Sequence, residues 1–308
     1  DRPQAPAQGS GVTTMAAQAA DAGAGEPLSP FYIPATQALA AYRPHVLKLD
    51  DCFAVLDAFG NAQATGPAAE GLFFEDTRYV SQLVLTIDGV RPLLLSSSVS
   101  EDNDVLAADL ANPDLMAGGR LRLARDTVHI LSSTVLGEDA LFVRLELRNF
   151  DSDAAAFSLA LHFDADFVDL FEVRGTVRRR RGRMLDDEPT ADGTVLAYLG
   201  LDRALRRTRF AFDPPPDVAE KRQALWTIEL PPGGRHLIQV TARCQRGERP
   251  PQDLSHEASL AAQAARLADL RLQRAHLYSS NETFNDLLNR SRADLDMLVT
   301  RTPQGPYP

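Results

Sequence analysis

The sequence predicts a mainly β protein, a large antiparallel β-sandwich followed by two helices, on three observations. From Val46 to about Arg243 almost every periodic segment alternates apolar and polar residues with period two. Short clusters of Gly, Pro, Asn and Asp separate those segments at hairpin length, which favours antiparallel neighbours over βαβ crossovers. After Arg246-Gly247-Glu248-Arg249-Pro250-Pro251, a charged and proline-ended linker, the period becomes helical.

Residues 1–30 are rich in Ala, Gln, Gly and Pro, the composition of a disordered arm. They lack the basic stretch and apolar core of a secretory signal. Met15 is the expected native start, and order is expected from Phe31 or Tyr32. Cys52–Leu56 reads as a strand leading to a turn at Gly60-Asn61.

Gly71–Gly89, GLFFEDTRYVSQLVLTIDG, is the most distinctive stretch. Apolar Leu72, Phe73 and Phe74 precede Glu75, Asp76, Thr77 and Arg78. A strand pattern follows, with Tyr79, Leu83, Leu85 and Ile87 on one face and Gln82 and Thr86 on the other. Asp88-Gly89 supplies left-handed turn chemistry and is expected to fold Val90–Val99 back as a hairpin partner.

Further strands are expected over Arg120–Ala124, Thr127–Val135, Val195–Leu199, Thr208–Phe212, Ala224–Leu230 and His236–Ala242. Leu141, Val143, Leu145 and Leu147 face one way, and Phe142, Arg144, Glu146 and Arg148 the other. Phe157, Leu159, Leu161 and Phe163 repeat the pattern after a turn at Asn149–Asp153. The connections carry Gly118-Gly119, Asp192-Gly193, Pro214–Pro216 and Pro231–Gly234. No internal repeat is visible, which excludes a propeller or solenoid.

Ser255 and Ala258 open the first helix, in which Leu260, Ala264, Leu267 and Leu270 or Arg271 recur at helical spacing. Ser279-Ser280-Asn281 breaks it and offers an N-cap for a second. There Phe284, Leu287, Leu288, Ser291, Leu295 and Leu298 form an apolar stripe.

The net charge of −10 argues against nucleic acid as a partner, and no apolar run is long enough to span a membrane. Lys48 and Lys221 are the only lysines among 32 basic residues, a bias that points to coding rather than function. Cys52 and Cys244 suit two free buried thiols in a reducing, cytoplasmic setting better than a disulfide or zinc site. The six histidines show no paired spacing, and there is no phosphate loop, dinucleotide fingerprint or nucleophile elbow. No metal and no cofactor are therefore expected. The serine run Ser96-Ser97-Ser98 reads as a strand end.

Two polar clusters remain. Glu75, Asp76, Thr77 and Arg78 admit two readings: an ion pair of Asp76 or Glu75 with Arg78 at a strand start, or a polar loop aimed at a ligand or neighbouring domain. Asp164, Asp166, Asp169 and Glu172 could supply the two carboxyl groups of glycosidic acid/base chemistry. The plainer reading is a loop after a strand ending at Asp164, whose acids meet Arg174, Arg178–Arg181 and Arg183. That arginine run could grip phosphate, although an exposed hairpin there favours a solvated face. Aromatics are 7% of the chain, and Trp226 sits in a strand as a core residue, which is thin for a sugar-binding lectin.

Three segments follow one another in a recognisable order: GLFFEDTRYVSQLVLTIDG, ADFVDLFEVRGTVRRRRG over Ala165–Gly182, and FNDLLNRSRADLDMLVT over Phe284–Thr300 with Gly305-Pro306-Tyr307-Pro308. From Val46 to the C-terminus the chain resembles the N-terminal part of bacterial glycogen-debranching-type enzymes, the amylo-α-1,6-glucosidase-like glycoside hydrolases. The resemblance implies a β-supersandwich joined by a linker helix to an α/α barrel that carries the general acid and base.

The division it implies is an arm over 1–30, a supersandwich over 31–246, a linker with its helix over 247–280, and the first barrel helix over 281–308. Catalytic carboxylates would lie beyond Pro308, so this chain by itself is expected to be inactive. Glu75, Asp76, Thr77 and Arg78 become candidates for the substrate rim or the domain interface, with Asp166, Asp169 and Glu172 as a second set. The expected partners are an α-glucan or α-glucoside, bound through the parent enzyme, and the barrel itself. Self-association through Phe284–Leu298 is expected where that stripe lacks the barrel. The rival of another class is a free-standing carbohydrate-binding or scaffolding sandwich. A self-sufficient enzyme using Asp164, Asp166, Asp169 or Glu172 is the third.

Overall fold

Two antiparallel sheets face each other, and aromatic side chains join them. The computed structural model describes residues 44–64, 69–220, 222–248, 255–272 and 277–307. The expected arm over 1–30, the ordered start at Phe31 or Tyr32, and linker residues 249–251 lie outside these.

The larger sheet has nine strands. From one edge it runs Leu93–Val99, Val105–Ala111, Val128–Leu136, Ala140–Asn149, Arg235–Arg246, Leu205–Asp213 and Gly193–Leu199. Arg183–Met184 and Glu188–Thr190 both pair with the last of these. The opposing five-stranded sheet is ordered Val218–Glu220, Gln223–Leu230, Ala155–Asp164, Gln82–Ile87 and Ala62–Gln63. Phe163 of the smaller sheet packs on Phe210 and Phe212 of the larger, with ring centres 4.5 and 5.6 Å apart. Phe212 in turn meets Trp226 edge-on at 5.5 Å, and the indole Nε1 donates to the Pro214 carbonyl at 3.0 Å. Such contacts, with Ile130, Leu145, Ile238 and Leu159 fully buried around them, form one continuous core.

A four-stranded sheet closes one end: His45–Leu49, Cys52–Leu56, Gly71–Phe74 and Thr77–Val80. Cys52 and Cys244 are both free and buried, and burial pushes both thiols up. Two features of the expected Gly71–Gly89 pattern are corrected here. Tyr79 does not share a strand with Leu83, because the chain changes sheets at Ser81, whose N–H donates to the Asp164 carbonyl at 2.9 Å. Asp88-Gly89 does turn the chain, with φ of 47° and 75°, but only Val90 bridges back to Ile87. Leu93–Val99 crosses to the larger sheet and pairs with Val105–Ala111 instead.

On the larger sheet's outer face Arg144, Glu146 and Arg148 are solvent-facing or half-buried as the alternation predicts, yet Phe142 is buried. Helix α1 (Leu170–Val173) is short, whereas α2 (His256–Leu272) packs at this end of the sheet, where its Ser259 and Phe142 both approach Gly137, and the Arg243 guanidinium lies 5.8 Å from the Phe142 ring centre. Among the described side chains of α2, His256, Ser259 and Gln263 are buried, while Ala264 of the expected stripe is exposed and Leu260 and Leu267 are only half-buried. Small Ser259 suits the approach to Gly137, and Gln263 Nε2 donates to the Leu136 carbonyl at 2.5 Å. Shape and hydrogen bonding outweigh hydropathy at this contact.

Asn281 caps helix α3 (Glu282–Leu298) by accepting from the Phe284 N–H at 3.1 Å, as the sequence predicts. Only Ala293 of this helix is buried, and Phe284, Leu287, Leu295 and Leu298 are exposed. The helix meets the sandwich through polar contacts: Asp294 accepts from Asn103 at 2.9 Å, and Lys48 Nζ donates to the Leu298 carbonyl at 3.1 Å. A short hairpin, Thr300–Thr302 with Gly305–Tyr307, follows.

Candidate functional site

Glu75 and Asp76 both adopt left-handed φ, 44° and 60°, and so form the tight turn of a hairpin between Gly71–Phe74 and Thr77–Val80. The hairpin needs glycine at its base. Gly71 sits at φ +142°, and a Cβ there would meet the Val80 carbonyl oxygen at 2.4 Å and Arg78 Cδ at 2.6 Å.

Arg78 does not pair with its neighbours Asp76 or Glu75. Its guanidinium makes a two-point contact with Asp166, Nε to Oδ1 at 3.1 Å and Nη2 to Oδ2 at 2.5 Å, and donates from Nη1 to the Glu70 carbonyl at 3.2 Å. Glu75 pairs with Arg246 at 2.8 Å. Two positive-φ residues reverse the chain so tightly that Arg78 is carried inward, away from the exposed Asp76 side chain.

The second cluster lies against the first. Thr77 bridges to Asp169, the Arg78 N–H donates to the Val168 carbonyl at 2.8 Å, and the Leu170 N–H donates to the Asp76 carbonyl at 3.1 Å. Asp169 and Glu172 form a capping box on α1: Asp169 Oδ1 accepts from Phe171 and Glu172 N–H, and Glu172 Oε2 accepts from the Asp169 N–H at 3.1 Å. The spacing Asp-Leu-Phe-Glu carries that signature, which a search for catalytic acids passes over.

Each acid of this cluster also has an arginine. Asp169 pairs with Arg178 at 2.6 Å and Glu172 with Arg181 at 3.1 Å, while Asp164 pairs with Arg222. The arginine run is exposed, as expected, but it is an irregular loop from Arg174 to Gly182 and not a hairpin, and of its arginines Arg178 and Arg181 are the two drawn onto the acids.

An aromatic ladder anchors this polar surface to the core. Phe74, Tyr79 and Phe167 make edge contacts at 5.8 and 5.5 Å, and Phe167 stacks on Tyr198 at 5.6 Å. Phe167 has φ of 50°, a strained setting for a bulky residue that this ladder holds in place. Above it opens a cleft of about 260 Å3 that includes Thr77, Asp169, Glu172, Arg181, Tyr198 and Asp202.

The electrostatics of the cleft are those of fixed charges. The Arg206 guanidinium holds the Asp202 carboxyl down at about 2. Burial works against ionisation of Asp169, but the Glu172 N–H and Arg178 hold its carboxyl below the ordinary range. A general acid needs the opposite shift. Carboxyls raised by burial occur elsewhere, at Asp57 and Glu70. There Asp57 caps the turn at Phe59 and Asn61 with N–H bonds of 2.8 and 2.9 Å, and Glu70 accepts from the Gln63 N–H at 2.6 Å.

Ser97 Oγ lies 2.9 Å from His45 Nε2, yet no third group orients that imidazole among the described residues. Asp109 joins His129 and Ser96 but separates them. The described residues contain no group of three His, Cys, Asp or Glu placed to hold a metal ion. No described helix is long and apolar enough to cross a membrane.

A twisted two-sheet β-sandwich with trailing helices and a charge-locked loop cluster is thus the class of protein. The chain belongs to the family of N-terminal domains of (some) glycogen debranching enzymes, whose model matches residues 47–241. The match contains both loop clusters.

Comparison with curated proteins gave no match. Among solved structures, a kojibiose phosphorylase-like protein from the human microbiome is similar over 81% of this chain and 35% of its own, at 10% identity and a TM-score of 0.48. An aldose 1-epimerase-like protein from Escherichia coli K12 is similar over 66% of this chain and 99% of its own, at 10% identity and a TM-score of 0.36. The chain spans 35% of the length of the first of these.

Proposed function

We propose that this chain is a non-catalytic N-terminal module of a glycoside hydrolase acting on α-glucans or α-glucosides. Its sandwich packs on a catalytic α/α barrel and shapes the rim of the substrate site. The observation that carries this reading is the commitment of the acids: Asp164, Asp166, Asp169 and Glu172 all stand in ion pairs with arginines. Carboxylates bound to arginines are poorly placed to protonate a leaving oxygen, but they do hold a loop in one shape.

The rim is the Glu75-Asp76 hairpin tip together with the α1 loop. Asp76 is exposed there, while Arg78 acts from below as a positioning residue. Exposed Phe284, Leu287, Leu295 and Leu298 on α3 supply an apolar face for the barrel. The test is Asp76→Ala and Phe171→Ala in the longer protein, assayed on limit dextrin, maltooligosaccharides and isomaltose. A changed KM or chain-length preference with an intact barrel supports the rim assignment. Unchanged kinetics on every substrate contradict it.

The rival reading, a free-standing carbohydrate-binding sandwich, draws support from exposed Phe150 and Phe171, which could serve as sugar platforms. The reading frame downstream of residue 308 separates the two.

A further inference from the structure

The outer face of the nine-stranded sheet carries two arginines and a histidine in a row that the family assignment does not use. In the strand register His129 stands opposite Arg148, and Arg148 opposite Arg235, across three adjacent strands. All three alternate with inward-facing Ile130, Leu147 and His236, so they share the outer face. Directly opposed residues on one face of an antiparallel pair have Cβ atoms only about 5 Å apart, and like charges there repel.

Neither Arg148 nor Arg235 stands in a salt bridge among the described residues. The nearby acids are already partnered: Glu146, which lines the same depression, pairs with Arg144 at 3.0 Å, and Asp109 pairs with His129 of the row at 2.9 Å, which leaves Arg148 and Arg235 as the cations of the row without a carboxylate among the described residues. Such a juxtaposition is unusual in a chain of net charge −10. It calls for an anion.

The row borders a depression of about 520 Å3, the size of a small-ligand site. Phe150 lines it and is 60% exposed, with the Arg148 guanidinium 4.5 Å from its ring centre and His129 edge-on at 6.2 Å. Arg148 is thereby held on the ring, and with Arg235 it lines the depression. Leu131 and Leu237 give the floor an apolar part. Two guanidinium groups beside an exposed ring match a phosphorylated sugar: the fork donors suit phosphate oxygens, and the ring suits the apolar face of a pyranose.

We propose that this depression binds a sugar phosphate monoester, with Arg148 and Arg235 on the phosphate and Phe150 against the sugar ring. The site is independent of the rim at Glu75–Arg78 and does not rest on the function proposed above.

Calorimetric titration of the whole 308-residue chain at low ionic strength tests this, using glucose 6-phosphate, inorganic phosphate and glucose as probes. Glucose 6-phosphate is expected to bind with a Kd below about 5 mM, more tightly than inorganic phosphate, with glucose weakest. Arg148→Gln/Arg235→Gln should weaken it at least about tenfold, while removing two exposed charges elsewhere, Arg120→Gln/Arg125→Gln, should leave it unchanged. Phe150→Ser should bring glucose 6-phosphate down to the affinity of inorganic phosphate. Should the double variant not fold, Arg235→Gln alone, at the first position of its strand, is expected to cost at least about threefold. Equal affinity for phosphate and sugar phosphate in the unmodified chain would overturn the sugar part. Binding unchanged in the arginine variants, or no heat with glucose 6-phosphate up to about 10 mM, would overturn the site.

Discussion

Arg78 and Asp166, 88 positions apart in the chain, hold each other by two hydrogen bonds and so tie the Glu75-Asp76 hairpin to the loop after Asp164. The Arg78 side chain is only 9% exposed and that of Asp166 31%. Removing the acid's charge takes the two-point carboxylate partner from a nearly buried guanidinium. Asp166→Asn is therefore expected to destabilise the chain by about 1–3 kcal/mol, read as a lower denaturation midpoint at constant m-value. Arg78→Met/Asp166→Asn should cost less than the sum of the single changes, because the two side chains are in direct contact and each single change already breaks their shared two-point bond.

Asp50 is the corresponding tie for the helical end. Its carboxylate accepts from Arg266 of α2 at 3.1 Å and from Arg301 of the terminal hairpin at 2.8 Å, and Arg301 also reaches Glu138 at 3.1 Å. Asp50→Asn is expected to raise amide hydrogen exchange over α2 and residues 299–307 while leaving the sheet strands protected. Equal loss of protection throughout would show that Asp50 supports the whole fold instead.

Opposed shifts of buried groups set the pH dependence of stability. Burial holds Asp57 and Glu70 above their ordinary range, so their cost to the folded state is present at pH 7 and is relieved as pH falls through their folded values. Asp202 is held at about 2 by Arg206, and Asp169 is also depressed. Their contribution is complete above the unfolded carboxyl value and is lost as pH falls through the folded ones. Burial also holds His45, His162 and His256 below the ordinary imidazole range, so their contribution is complete above the unfolded value of about 6.5 and is lost as pH falls through the folded ones, opposing the relief at Asp57 and Glu70. Denaturant midpoints should therefore fall steeply below about 4, and Glu70→Gln should raise the midpoint more at pH 7 than at about pH 5 while sparing the acid fall.

Much of this fold was legible because alternation reports burial wherever one sheet face meets the core, as in Leu141–Leu147 and Phe157–Phe163. It failed where both faces are covered. Phe142 is buried with Arg243 against its ring, and Thr77, Arg78, Tyr79 and Val80 are all buried, so that stretch has no solvent-facing side to mark it. The strand at Val105–Ala111 escaped notice because Ala107, Ala108 and Ala111 blur its period. At the site, the residues were visible but their partners were not. Asp166 with Arg78 and Glu75 with Arg246 are tertiary pairs, which local spacing cannot distinguish from neighbours of opposite charge. The Asp169–Glu172 capping box was local, and could have been read from its spacing.

Helix α3 gives a prediction about association. It exposes Phe284, Leu287, Leu295 and Leu298 while burying only Ala293. With those residues uncovered, the isolated chain should self-associate with rising concentration, and Leu287→Ser/Leu295→Ser should restore a monomer in light scattering. A clean monomer at high concentration without the changes would show that the face needs no cover.

The central claim is that this domain shapes a site and does not perform the chemistry. Glucose release from limit dextrin, maltooligosaccharides and isomaltose, measured side by side for the purified 308-residue chain and for the longer protein that carries it, tests this most directly. The account predicts release by the longer protein and none by the chain alone. Release by the chain alone, abolished by Asp166→Asn or Asp169→Asn, would contradict it, as would a longer protein that hydrolyses none of the three.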